Sequence, residues 1–237
     1  NQQVMAWHRH DTQGGTYENV TVVPEGNEDV LYVTVKRTIN SKVVRYIEKL
    51  STRQINDIED SKFMDANLSF DGTNTSATTM TVSGGTTWVS TESLTLTASA
   101  PFFTAAEVGN AIHLKGASKE LIRATITAYT STTIVTVKPH KTVPTDLRGV
   151  ATAVWTRAVD QLSGLWHLEG EDVAIFADGF VVASPNNASY DTITVANGIV
   201  TLDKPYGVIH VGLPYISDIE TLDVDTVSGE TLSDKKK

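Results

Sequence analysis

Apolar and polar residues alternate with a period of two along much of the chain. Leu31-Tyr32-Val33-Thr34-Val35-Lys36-Arg37 puts Leu31, Val33 and Val35 on one side and Tyr32, Thr34 and Lys36 on the other, which predicts a strand covered on one face. Residues 43–48 repeat the pattern after Ile39-Asn40-Ser41, a tight turn, so the two segments predict a hairpin with a charged outer face. Upstream, residues 16–23 predict another strand, ended by Pro24-Glu25-Gly26-Asn27. Residues 124–129 and 133–137 predict a hairpin around Thr130-Ser131, with Thr133, Val135 and Val137 on one face, and residues 150–157 a further strand. In the C-terminal third, Asp178-Gly179 and Asn197-Gly198 each stand between apolar, β-branched runs. Both dipeptides accept positive φ at the two central positions of a type I′ turn, so they predict consecutive hairpins.

Three stretches depart from this pattern. Residues 52–67 hold Ile55, Ile58, Phe63 and Met64 with acids between them, a spacing that predicts one short helix or helical turn, closed by Phe70-Asp71-Gly72. Residues 73–97 are crowded with Thr, Ser and Gly, with Gly84-Gly85 as a break, and read as a long loop or as short exposed threonine-rich strands. Residues 100–114 read as a helical turn ending at Gly109 that runs into a strand. The fold class that follows is mainly β. Antiparallel hairpins form a sheet or propeller-like platform from residues 1–72 and 156–237, and residues 73–155 form an inserted, small β-barrel-like module. The polar end, Ser233-Asp234-Lys235-Lys236-Lys237, is expected to be a flexible tail. The opening Asn1-Gln2-Gln3-Val4-Met5-Ala6-Trp7 reads like the interior of a domain, so the chain is expected to be part of a longer protein.

At 237 residues the chain can bury a core of ordinary size. It has no cysteine, which excludes a disulfide framework and a thiolate metal site. A formal net charge of -9 argues against a basic groove for tight duplex binding, because such binding depends on Lys and Arg neutralising phosphates. No apolar run is long enough for a membrane-spanning helix.

Candidate chemistry is sparse. There is no G-x-S-x-G, no Walker loop, no dinucleotide fingerprint and no helix-turn-helix pattern. His8 and His10 share one face of a strand, with Asp11 nearby, but a metal site needs three or four converging ligands. His113, His140, His167 and His210 are scattered singly and read as satisfied strand residues. Carboxylates group at Glu28-Asp29, at Glu169, Glu171 and Asp172, and at Asp218, Glu220, Asp223 and Asp225. A pair held at the right separation could hydrolyse a glycoside, yet acids beside Gly170 usually mark a solvated turn. Trp7, Trp88, Trp155 and Trp166 could stack on sugar rings or fill cores and subunit contacts. No catalytic residue, cofactor ligand or metal ligand is assigned, and no enzymatic activity or cofactor is expected.

Several motifs in combination resemble the tail tube, or nozzle, proteins of short-tailed bacteriophages. They are Gln2-Gln3-Val4-Met5-Ala6-Trp7-His8-Arg9-His10, the strand pair at 28–40 and 45–48, Phe63-Met64-Asp65-Ala66 and Phe70-Asp71-Gly72. Gly164-Leu165-Trp166-His167-Leu168-Glu169-Gly170, Ala177-Asp178-Gly179 and His210-Val211-Gly212-Leu213-Pro214-Tyr215 complete the set. The segment from Phe103 through the hairpin at 124–137 resembles a small β module that recurs inside phage tail proteins. The resemblance implies a C-terminal fragment of a structural protein that forms a homo-oligomeric ring, generally a hexamer, beneath an adaptor ring. Tail fibres or spikes dock on its outside, and DNA passes through its channel without sequence-specific binding. It implies a protein made in the bacterial cytoplasm and resident in the virion. The alternatives are a carbohydrate-binding adhesin-type β module using exposed Trp and Tyr, and a fragment of a polysaccharide depolymerase.

Overall fold

A computed structural model describes residues 10–51, 55, 57–214 and 216. The protein is mainly β, and its named strands pair antiparallel throughout. The first strands are β1 (Gly15–Glu25), β2 (Glu28–Ile39) and β3 (Lys42–Lys49), which form a three-stranded sheet in that order. The β2–β3 turn has positive φ at both Asn40 (47°) and Ser41 (62°), the backbone of a two-residue hairpin turn, made here without glycine.

Of the short helix or helical turn expected over residues 52–67, the described residues show a single 3-10 turn at Ile58–Asp60, and from residue 65 the segment is strand β4 (Asp65–Asp71) instead. The reason is pairing: β4 lies along the last strand of the chain, matching Leu68 with Val211 and Phe70 with Ile209, and this partner outweighs a weak local preference for helix.

The middle of the chain builds a module from β5 (Met80–Ser83), β6 (Leu94–Ala98), β7 (Ala111–Lys115), β8 (Leu121–Ser131), β9 (Ile134–Pro139) and β10 (Ala151–Thr152). The threonine-rich stretch forms two short strands joined by a loop at residues 84–93, with Met80, Val82, Leu94 and Leu96 buried and the threonines between them on the other face. The β8–β9 turn falls at residues 132 and 133, two positions beyond the expected one, so Thr133 belongs to the turn and not to β9. The expected helical turn is a 3-10 turn at Ala105–Glu107, and it leads into β7 as expected.

The long strand β11 (Trp155–Ser163) then leaves the module, and β12 (Asp172–Ala177), β13 (Phe180–Ala183), β14 (Ile193–Thr194), β15 (Ile199–Tyr206) and β16 (Val208–Leu213) complete the chain. One sheet runs β10-β5-β6-β9-β8-β7-β11-β15 and another β13-β12-β16-β4, with β14 on β12. Two residues separate β10, which pairs with β5, from β11, which pairs with β7, so the module's ladder returns to nearly the segment where it began. The glycine dipeptides behave as expected: φ is 48° and 83° at Asp178-Gly179 and 56° and 67° at Asn197-Gly198.

Two apolar cores result. One gathers Met80, Leu96, Phe103, Ile112, Ile126, Val137 and Trp155 inside the module; the other gathers Val159, Leu165, Ile175, Val200, Ile209 and Val211 between the closing hairpins. Strand β11 belongs to both. Its Trp155–Ala158 half pairs with β7, and its other half pairs with β15. At the crossing, Gly72 N–H donates to Gly207 O (2.9 Å) and Arg157 N–H donates to Gly72 O (2.8 Å). A Cβ on Gly72 would lie 1.9 Å from the Arg157 carbonyl oxygen. Three backbones therefore meet where no side chain fits. Gly72→Ala is expected to destabilise the protein by about 3 kcal/mol or more, the scale of severe overpacking, read as a fall in the urea midpoint. An unchanged midpoint would mean that the crossing yields without cost.

Candidate functional site

Strand alternation decides what faces the space between the two cores. In β7, Ile112 and Leu114 point into the module core, so His113 and Lys115 point out of it. The register sets His113 opposite Arg123 of β8 on one side and Thr156 of β11 on the other. Over this face lies the β12–β13 turn, held by Asp178. Its Oδ1 accepts from Gly207 N–H (3.0 Å) and Val208 N–H (2.9 Å), and its own N–H donates to Val208 O. Between the two is a cleft of about 510 Å³, lined from the module by His113, Lys115, Leu121, Arg123 and Thr156, and from the other side by Glu59, Asp178, Phe180, Asp191, Asp203, Lys204 and Tyr206. The size is that of a small-molecule site.

The cleft carries opposite charges of which, among the described residues, only the Lys204–Asp203 pair closes. Four carboxylates, Glu59, Asp178, Asp191 and Asp203, face three cations, Lys115, Arg123 and Lys204. Of these, Lys204 lies 3.4 Å from Asp203, which also accepts from Tyr206 Oη–H (2.9 Å). Lys115 and Arg123 have no side-chain hydrogen bond or ion pair within 4 Å among the described residues. Burial pushes the Glu59 carboxyl up, with Lys115 opposing that shift.

His113 is 5% exposed. Its Nδ1 is 3.9 Å from Asp178 Oδ2, too far for a hydrogen bond, and its Nε2 is buried without a partner. Burial lowers its pKa from 6.5 to about 4, against the pull of Asp178, so the ring is neutral at pH 7.

The other histidines are engaged. His210 Nε2–H donates to Glu59 O (2.8 Å), with Ser69 Oγ 2.7 Å from Nδ1. His167 Nε2–H donates to Ala66 O (2.9 Å), and His140 Nδ1 accepts from Arg123 N–H (2.9 Å). Burial lowers the pKa of both His210 and His140. His10 and Asp11 are exposed, while His8, Trp7, Asp218, Glu220, Asp223 and Asp225 lie outside the described residues.

The Glu169 carboxylate accepts from Asn197 N–H (2.9 Å) and Gly198 N–H (2.6 Å), and Asp172 accepts from Thr194 Oγ1–H (2.6 Å), so both acids brace the neighbouring hairpin. Trp155 is buried, and its Nε1–H donates to Thr78 O (2.8 Å). Trp88 packs against the module core, with the Arg148 guanidinium 5.5 Å from its ring. Trp166 is 64% exposed. Glu28 and Asp29 are solvated at the start of β2. No group of three or more His, Asp or Glu among the described residues is placed to hold a metal ion. No helix there is long and apolar enough to cross a membrane. No family model matches the chain, and no curated protein matches it.

Asp178 entered the sequence reading only as a turn residue, and Lys115 and Arg123 did not enter it. The alternation of His113 with Ile112 and Leu114 was the one available signal that this histidine faces away from the core.

A histidine that binds protons less readily when folded costs stability on acidification. Between pH 6.5 and about 4 the unfolded chain takes up a proton at His113 that the folded chain refuses. Stability from this group is full above 6.5, declines with pH, and levels off below about 4 after a loss of about 3 kcal/mol. His140 and His210 are shifted the same way and add to the decline. Urea midpoints from pH 7 to 4 are expected to fall, and less steeply in His113→Gln. A His113 NMR titration with its midpoint above 6 would contradict this.

Proposed function

We propose that this protein is a structural component of a bacteriophage tail, a subunit of a ring-shaped nozzle through which DNA leaves the capsid and on which fibres or spikes dock. The reading joins the motif resemblance to one structural observation, the uncovered apolar face of the β1–β3 sheet. Cross-strand partners share a face. Val35 pairs with Tyr17 and Tyr46, Val33 with Val20, and Leu31 with Val22, so these residues make one apolar surface. Its inner end is covered by the chain itself, with Val35 and Ile39 buried. There Arg37, 1% exposed, forks onto Glu48 (2.8 and 2.9 Å), while Tyr46 meets the His167 ring edge-on.

The outer end is bare. Val20 is 59% and Val22 58% exposed, and β1 holds no buried residue along 11 positions. A long edge strand with an apolar face on one side is a template for pairing, and soluble monomers normally blunt such edges. An assembly subunit supplies the missing cover from its neighbours. On this reading the protein resides in the virion, has no catalytic role, and contacts DNA only as a wall.

Light scattering and negative-stain imaging of the protein, alone and with the adaptor ring that the proposal implies, test it. The expected result is a ring of several copies with a central hole, formed alone or on the adaptor, and lost in Val22→Asp with little change in melting temperature. A monomer indifferent to the adaptor would contradict the reading.

A further inference from the structure

The cleft between the module and the β12–β13 turn has a feature that neither core accounts for. His113 is buried, yet neither ring nitrogen makes a hydrogen bond. The buried orphan is Nε2, and Nδ1 is the ring nitrogen turned toward Asp178 on a wall of the open cleft. Asp178 shows the complementary state. Its Oδ1 is used twice by backbone N–H groups, whereas Oδ2 faces His113 Nδ1 across 3.9 Å.

A hydroxyl oxygen placed about 2.8 Å from both atoms completes a triangle over that gap, accepting from the imidazole N–H and donating to the carboxylate. Arg123, beside His113 in the register and without a side-chain partner, offers donors to further oxygens. At the cleft, Phe180 is 71% exposed, a flat apolar surface next to these polar groups.

We propose that this cleft is a binding site for a neutral polyhydroxylated ligand, a single saccharide unit, whose hydroxyl bridges His113 and Asp178 and whose C–H face rests on Phe180. Charge and shape favour this class. Four carboxylates against three cations, with the histidine neutral, give no net attraction for an anion. Unclosed opposite charges suit a ligand that donates and accepts at each oxygen. An exposed aromatic ring beside charged donors and acceptors suits a pyranose, polar at its rim and apolar on its face. The inference stands on the cleft alone and does not depend on the tail reading.

Saturation-transfer and imidazole ¹⁵N NMR on the whole protein test it, using methyl β-glucoside, methyl β-galactoside and N-acetylglucosamine as probes, and inorganic phosphate and glycine as anionic and zwitterionic comparators. At least one neutral sugar is expected to receive saturation and to shift a His113 ring nitrogen resonance. Phe180→Ala and Arg123→Gln should each weaken that binding tenfold or more while the melting temperature holds. Three results would overturn the proposal: no sugar moves the His113 resonance, phosphate or glycine moves it instead, or sugar binding survives both substitutions unchanged.

Discussion

Everything downstream of Asp71 depends on one close crossing of backbones. Gly72 passes between Arg157 and Gly207 with hydrogen bonds to both, at a separation that leaves no room for a Cβ. Here the chain enters the module, and six strands later, at Arg157 of β11, it passes the same point on its way out. The Arg157 side chain reinforces the point by forking onto Glu107 (2.8 to 3.1 Å) at the module's 3-10 turn, with its guanidinium 5.9 Å from the Phe70 ring. Glu107 is 8% exposed, so the pair is partly desolvated, and removing one partner would strand the other. Because β11 contributes to both cores, the two bodies share a rigid strand in place of a linker. The cleft owes its walls to that crossing: β7 and β8 supply one, and the turn anchored by Asp178 to Gly207 and Val208 supplies the other.

The parts of the fold legible in the sequence are those fixed by local rules. Asp178-Gly179 and Asn197-Gly198 specify their turns through backbone conformation alone, and the alternation from Leu31 to Arg37 specifies a strand with a buried side. What escaped the sequence was set by distant partners. Residues 65–71 look ambiguous in isolation and become a strand because β16 lies beside them, about 140 residues away along the chain. The threonine-rich segment was ambiguous for a similar reason. Its short strands are fixed by burying Met80, Val82, Leu94 and Leu96, not by propensity. Arg37 falls by alternation on the same side as Val33 and Val35, and what the sequence does not show is how a charge is accommodated there: it is buried against Glu48 and Thr12.

The candidate site was less legible than the fold. Single histidines on strands carry no functional signal, and three of the five described here are satisfied by neighbours that the sequence does not place near them: Ala66 for His167, Glu59 and Ser69 for His210, and Arg123 for His140. His113 differs only in lacking such a neighbour, a property that exists once β7, β11 and the Asp178 turn are assembled. The carboxylates that drew attention in the sequence, Glu169 and Asp172, turn out to brace a hairpin. The site and the bare sheet are thus separate features, one at the junction of the two cores and one on the opening hairpins.

The central proposal is that the β1–β3 sheet is completed by neighbouring subunits, whereas the two cores are buried within the single chain. Hydrogen–deuterium exchange followed by mass spectrometry, on the protein as single subunits and after self-assembly, tests this directly. Amides of β8, β11 and β16 should be protected in both states, and those of β1 should exchange freely in the free protein and slow markedly on assembly. Protection of β1 that is already high in the free protein, or that does not change on assembly, would contradict the account.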